Sequence, residues 1–152
     1  MRPVKLLLLS LILGMSGTIT HAADHIVKVL PHFLDQQGRH TLSPSLYERD
    51  AYQAFLRKHP DLISAVRFDV QWKAKPIDPT KLKLRVEVRG SKSGLAVPIV
   101  VEQSVQAPKF FSKWTDLSLD KETYEKLGEM VAWRVTIWDG DQQVAEQTSF
   151  LW

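Results

Sequence analysis

The sequence predicts an all-β fold, a two-sheet antiparallel β-sandwich of about seven strands with one helix inserted between strands 1 and 2. Two segments, 66–73 and 82–89, alternate strictly between apolar and polar residues, as half-buried strands do. Other strand-like segments follow at short intervals set by turn residues, and only one segment has a long helical pattern. A parallel sheet would need a crossover between successive strands, so the pattern favours antiparallel pairing.

The first strand is predicted over His25–Leu34, where Pro31 favours an edge position or a bulge because proline lacks a backbone donor. A helix is predicted over Ser43–Lys58, since Ser43-Pro44 suits an N-cap and first position and the pair His59-Pro60 ends it. The segment Ser45-Leu46-Tyr47-Glu48 also matches a capping box. The remaining strands are predicted over 66–73, 82–89, 97–105, 110–119, 130–138 and 144–152.

Two turn signals support the last part of this order. Asp120–Leu127 has the pattern of a short helical turn, with Asp120 as its N-cap and Gly128 as its end. Asp139-Gly140 is a strong signal for a tight hairpin between the last two strands.

Residues 1–22 have the pattern of a secretory signal peptide. Arg2 and Lys5 precede the apolar run 6–13, and Thr20-His21-Ala22 places small residues where a signal peptidase cleaves. The alternative is a membrane anchor, but the apolar run is only about half the ~20 residues that a spanning helix needs. We therefore expect a signal peptide (1–22), a single sandwich domain (23–152), export to the periplasm or the exterior, and no stable membrane insertion after cleavage.

The charge balance argues against a nucleic-acid partner. The whole chain has 20 Lys and Arg against 17 Asp and Glu, a formal charge of +3. Without residues 1–22 the balance is 18 against 17, so the net charge is +1. Nucleic-acid binding usually needs a concentrated basic surface. The chain has no cysteine, which excludes disulfides and thiol catalysis.

The order of strands, Trp72 in the second of them, the helical turn with Tyr124 and the Asp139-Gly140 hairpin resemble an immunoglobulin-like or fibronectin type III-like β-sandwich. The resemblance covers about residues 25–152 and is one of architecture. It implies the fold, but no functional residue follows from it, because such sandwiches host many functions. In this architecture the segments 66–73 and 82–89 would lie in different sheets.

The sequence suggests no catalytic, cofactor-binding or metal-binding residue, and we expect no cofactor. His25 and His32 are seven residues apart, which predicts opposite faces of a regular strand. Neither the HExxH pattern of zinc proteases nor the GxSxG pattern of serine hydrolases occurs.

The candidate binding residues are basic or aromatic side chains expected on solvent-facing strand surfaces. They are Trp138, Trp114, Arg134, Lys83, Arg85 and Arg89. They favour a non-catalytic binding domain whose partner is a protein of the cell envelope or exterior. The first alternative is a carbohydrate-binding module that stacks sugars on Trp114 and Trp138. The second is a small enzyme of unknown class.

Overall fold

The computed structural model describes residues 24–92 and 94–152, with side chains for all of them except 94–96. The predicted signal peptide, residues 1–22, lies outside the described residues. The described residues form seven strands and two α-helices. The strands are β1 (His25–Leu34), β2 (Ala65–Lys73), β3 (Leu82–Gly90), β4 (Gly94–Ser104), β5 (Lys113–Asp120), β6 (Met130–Asp139) and β7 (Gln142–Thr148). The helices are α1 (Leu46–Lys58) and α2 (Lys121–Leu127).

The strands form two antiparallel sheets that enclose one hydrophobic core. One sheet has three strands in the order β1-β2-β5, and the other has four in the order β4-β3-β6-β7. The prediction of a mostly β, two-sheet sandwich is confirmed. The segments 66–73 and 82–89 lie in different sheets, as expected, and the edge position predicted from Pro31 is also confirmed because β1 is an edge strand.

Alternation in β2 and β3 explains how the sheets face each other. The apolar residues of β2, from Val66 to Trp72, are buried, while the residues between them are only partly covered. The indole N–H of Trp72 donates to Thr115 Oγ1 at 2.9 Å, which satisfies its polar atom within the core. One face of each sheet therefore builds the core, and the other face is left for solvent or a partner.

Helix α1 covers the open edge of β1. The side-chain amide of Gln53 accepts from the Phe33 N–H at 2.7 Å and donates to the Phe33 carbonyl at 2.9 Å. These two bonds replace those that a further strand would make, so the edge offers fewer free backbone groups for aggregation. The helix begins at Leu46 with Ser45 as its N-cap, later than the predicted start at Ser43. The Ser45 hydroxyl accepts from the Glu48 N–H, as the predicted capping box requires.

Two local details differ from the sequence-based expectation. A bulge between Ile26 and Lys28 shifts the register of β1, so that His25 pairs with Lys73 and His32 pairs with Arg67. Paired residues share a face, so both histidines point to the outer side and the predicted opposite faces are wrong. In the last hairpin the turn residues are Gly140 and Asp141, one position later than predicted. Gly140 has φ of +61°, which glycine tolerates at this position.

Candidate binding site

The six candidate residues lie on opposite sides of the molecule. Lys83, Arg85 and Arg89 of β3 share the outer face of the four-stranded sheet with Arg134 and Trp138 of β6. Trp114 lies on β5, in the three-stranded sheet. Trp114 and Trp138 therefore do not form one stacking platform, and the predicted pair of tryptophans for sugar binding is wrong. The two tryptophans are apart because β5 and β6 belong to different sheets, and local sequence patterns do not predict which sheet a strand joins.

The basic side chains of the four-stranded sheet are largely neutralised by carboxylates on the same face. Glu102 of β4 contacts Lys83 Nζ at 3.0 Å and Arg85 Nη2 at 2.7 Å. Glu87 accepts from both Nε and Nη2 of Arg134, at 2.7 and 2.9 Å. Such two-bond contacts are the strongest form of ion pair. The predicted binding residues Lys83, Arg85 and Arg134 thus belong to ion pairs within the fold.

The tryptophans of this face are covered by the same arginines. The guanidinium of Arg85 lies 4.7 Å from the ring centre of Trp138, and that of Arg134 lies 4.8 Å from Trp152. Arg89 stacks on Trp152 from 4.0 Å. The Trp138 indole N–H donates to the buried Thr136 hydroxyl at 2.8 Å. Except for the buried Nε of Arg89, which has no hydrogen-bond partner, these charged and aromatic groups contact one another, so we expect them to act mainly in stability.

The outer face of the three-stranded sheet is different because it holds a shallow pocket beside a half-exposed tryptophan. The cavity has about 370 Å³ and the indole of Trp114 is 48% exposed. The pocket is lined by Leu30, His32, His40, Arg49, Asp69, Trp114, Thr115 and Asp116. We call this set of residues the Trp114 pocket.

The buried polar part of the Trp114 pocket is built by β1 and β2. The Nε2 atom of the buried His32 lies 3.4 Å from Asp69 Oδ2. Burial lowers the pKa of His32, and although Asp69 opposes this effect, the nearby His40, Arg67 and Arg49 add to it. The imidazole is therefore held neutral near pH 7, where it can both donate and accept a hydrogen bond. Arg67 Nη2 donates to Asp69 Oδ2 at 3.1 Å.

His40 reaches the pocket because the chain reverses after β1. The Asp35 carboxylate accepts from the N–H groups of Gln37 and Arg39, both at 2.9 Å, and from the Tyr52 hydroxyl at 2.6 Å. Burial alone would raise the pKa of Asp35, but these bonds and the Arg39 side chain lower it to about 2. The reversal places the His40 ring centre 4.7 Å from that of His32.

The arrangement offers recognition groups rather than an evident reactive group. Among the described residues, no set of three or more His, Cys, Asp or Glu side chains is placed to hold a metal ion. Thr115 is the one hydroxyl-bearing residue among those that line the pocket, and its hydroxyl accepts from the core residue Trp72. What remains open to a ligand is the half-exposed indole of Trp114 and the Asp116 carboxylate, which has no partner among the described residues. Arg49 also lines the pocket, but its guanidinium already binds Asp50 at 2.9 Å.

Sequence reasoning found Trp114 but missed the rest of the Trp114 pocket. The bulge in β1 and the Asp35 turn bring His32 and His40 together, and the alternation of residues along one strand predicts neither feature. The turn residues Gln36-Gln37-Gly38 were the only local sign that the chain reverses here. In contrast, the predicted end of the helix at His59-Pro60 is confirmed, since α1 ends at Lys58 with His59 as its C-cap and the His59 Nδ1 lies 2.8 Å from the Phe55 carbonyl oxygen.

Comparison of the chain with protein-family models, curated proteins and solved structures found no match. Within the part of the chain that the structure describes, no helix has the length and apolar character needed to cross a membrane.

Proposed function

We propose that this chain is an exported, non-catalytic, immunoglobulin-like domain that binds a protein of the cell envelope or exterior through the Trp114 pocket. The strand order supports the immunoglobulin-like assignment. The set β1, β2 and β5 corresponds to the first, second and fifth strands of such domains, and β3, β6 and β7 correspond to the opposite sheet. The strand β4 beside β3 corresponds to the extra edge strand that fibronectin-like relatives carry there.

Export is proposed from the pattern of residues 1–22. An apolar run of this length, followed by small residues before Ala23, is typical of a cleaved signal peptide. The test is N-terminal mass spectrometry of the protein isolated from the cell envelope and medium. We expect the isolated protein to begin at Ala23, and a protein that begins at Met1 and stays in the cytoplasm would contradict export.

The observation that carries the binding role is the half-exposed indole of Trp114 beside charged groups of both signs. Large aromatic residues in partly covered positions supply most of the binding energy in many protein interfaces. Asp116, whose carboxylate has no partner among the described residues, can pair with a cationic group of a partner at the rim, which favours specificity. A protein surface supplies both kinds of contact.

The test is site-specific photo-crosslinking in intact cells. A photoreactive phenylalanine analogue replaces Trp114, and the matched control carries it at Tyr47, an exposed position on α1 that does not line the pocket. We expect a discrete protein adduct from position 114 and none from position 47. The proposal fails if both positions give the same adducts, or if position 114 gives none.

Carbohydrate binding is the second candidate, and it now depends on Trp114 alone. A half-exposed indole flanked by carboxylate, imidazole and guanidinium groups also suits a sugar ring, whose flat apolar face stacks on aromatics. Glycan-array binding that is lost in Trp114→Ala and kept in Trp138→Ala would favour this alternative. Adducts to protein at position 114 without any glycan binding would exclude it.

A further inference from the structure

The loop between β4 and β5 carries two adjacent phenylalanines that face solvent. The side chains of Phe110 and Phe111 are 79% and 83% exposed. The ends of the loop are nevertheless fixed, because the Val105 N–H donates to the Leu82 carbonyl at 2.9 Å and Gln71 Nε2 donates to Ser112 Oγ at 2.8 Å. The phenylalanines thus project from an anchored loop, and we call residues 105–112 the aromatic loop.

Positive charge surrounds this aromatic pair. Lys109 and Lys113 flank it, and the stretch from Gln103 to Thr115 contains no Asp or Glu. Both lysines are exposed, and neither has a carboxylate partner among the described residues. The lysines of the four-stranded sheet differ in this respect, because Lys83 is paired with Glu102. The aromatic loop therefore presents two exposed phenylalanines flanked by lysines that no carboxylate neutralises.

The position of the aromatic loop allows a flat surface to approach it. The loop lies at the end of the sandwich that also carries the β2–β3 connection and the Gly140 turn, opposite the end that carries α1 and α2. Ile77, in the β2–β3 connection, is also strongly exposed at this end. A surface that contacts this end leaves the outer faces of both sheets free.

We propose that the aromatic loop docks the domain reversibly on an anionic phospholipid membrane. Phe110 and Phe111 enter the boundary between headgroups and acyl chains, as apolar side chains of peripheral proteins do. Lys109 and Lys113 bind the lipid phosphates, because basic residues next to a buried apolar anchor are attracted to an anionic surface. This proposal goes beyond the binding role of the Trp114 pocket and does not depend on it.

The test is co-sedimentation of the protein, as isolated from cells, with phosphatidylcholine vesicles that contain or lack phosphatidylglycerol. We expect binding only to the anionic vesicles. The double variant F110S/F111S should reduce this binding by at least about tenfold, because the apolar anchor is lost. The matched control is F150S, since Phe150 is fully exposed at the opposite end of the domain, and it should bind as the unaltered protein does.

A second pair of variants tests the charge. K109Q/K113Q should weaken vesicle binding by roughly tenfold and make the remainder less sensitive to salt. K58Q/K121Q removes two exposed lysines at the other end and should leave binding unchanged. Because all four lysines and Phe150 are exposed, none of these variants should impair folding.

Three results would overturn the membrane proposal. One is no binding of the unaltered protein to anionic vesicles, and another is an equal loss in F150S and F110S/F111S. The third is loss of a protein adduct at position 114 in F110S/F111S without any lipid binding, which would assign the aromatic loop to a protein interface. If vesicle binding fails while the position 114 adduct persists, only the membrane proposal is lost.

Discussion

The outer faces of the two sheets carry similar residues but use them differently. On the four-stranded sheet, Arg85 and Arg134 each bind a carboxylate and cover an indole ring of the same face. On the three-stranded sheet, Trp114 is half exposed and Asp116 has no partner among the described residues. A surface rich in arginine and tryptophan is thus not by itself a binding surface. What matters is whether those groups find partners within the fold.

The largest effect is expected from breaking the ion pair of the four-stranded face. Arg134→Ala leaves the buried carboxylate of Glu87 without its two hydrogen bonds. We expect a loss of about 2–3 kcal/mol in the free energy of unfolding, because an unpaired buried charge is costly and part of the arginine is exposed. Urea unfolding followed by circular dichroism measures the loss.

The matched control for Arg134→Ala removes both partners. The double variant Glu87→Gln with Arg134→Ala should recover part of the lost stability, because no buried charge remains. Crosslinking from position 114 should be unaffected in both variants. A loss below about 0.5 kcal/mol in Arg134→Ala would show that this face is not structural, and the contrast between the faces would fail.

The next effect concerns the turn that brings His40 to the Trp114 pocket. The pKa of Asp35 is about 2 in the folded chain against an ordinary 3.8. Its carboxylate therefore stabilises the fold above pH ~4 by about 2 kcal/mol, and this contribution is lost as the pH falls from ~4 to ~2. Tyr52→Phe removes one of its hydrogen bonds. We expect Tyr52→Phe to be about 1 kcal/mol less stable at neutral pH, with the difference shrinking in acid.

Urea unfolding at a series of pH values between ~7 and ~2.5 measures this difference. Tyr47→Phe is the control, because Tyr47 is exposed and its hydroxyl has no described partner. A stability difference for Tyr52→Phe that stays constant down to the lowest pH would contradict the role of Asp35.

Local patterns predicted the strands well because burial on one face imposes alternation. The segments 66–73 and 82–89 became β2 and β3 within one residue at each end, and Asp120 became the N-cap of α2. The hairpin between β6 and β7 was also found, one residue from the predicted turn, since glycine readily adopts the positive φ that its turn requires. These features depend on neighbours within a few positions of the sequence.

Local sequence patterns did not predict most of the candidate site, because the site depends on contacts between segments that are distant in the sequence. Trp138 was predicted to be a binding residue, but the guanidinium of Arg85, which lies on another strand, covers its indole ring. The sequence suggested no site at His32, whereas in the fold the bulge in β1 and the Asp35 turn place His40 against it. Both contacts depend on strand order and register, and the alternation of residues along one strand predicts neither of these.

The smallest effect concerns His32 itself. The folded pKa of His32 lies below its ordinary 6.5, chiefly because of burial. The unfolded chain therefore takes up a proton first as the pH falls, and stability decreases below pH ~6.5. His32→Gln should remove this decrease in stability below pH ~6.5. The exposed His25 on the same face supplies the control His25→Gln. A pH profile of His32→Gln identical to that of the unaltered protein would contradict the assignment.

The contrast between the two faces is tested most directly by comparing the unfolding free energies of Trp138→Ala and Trp114→Ala. Trp138→Ala removes the stack on Arg85 and the donor to the buried Thr136 hydroxyl. We expect it to lose about 1–2 kcal/mol, and Trp114→Ala to lose less than about 0.5 kcal/mol, because its exposed indole has few partners in the fold. Equal losses, or a larger loss in Trp114→Ala, would contradict the account.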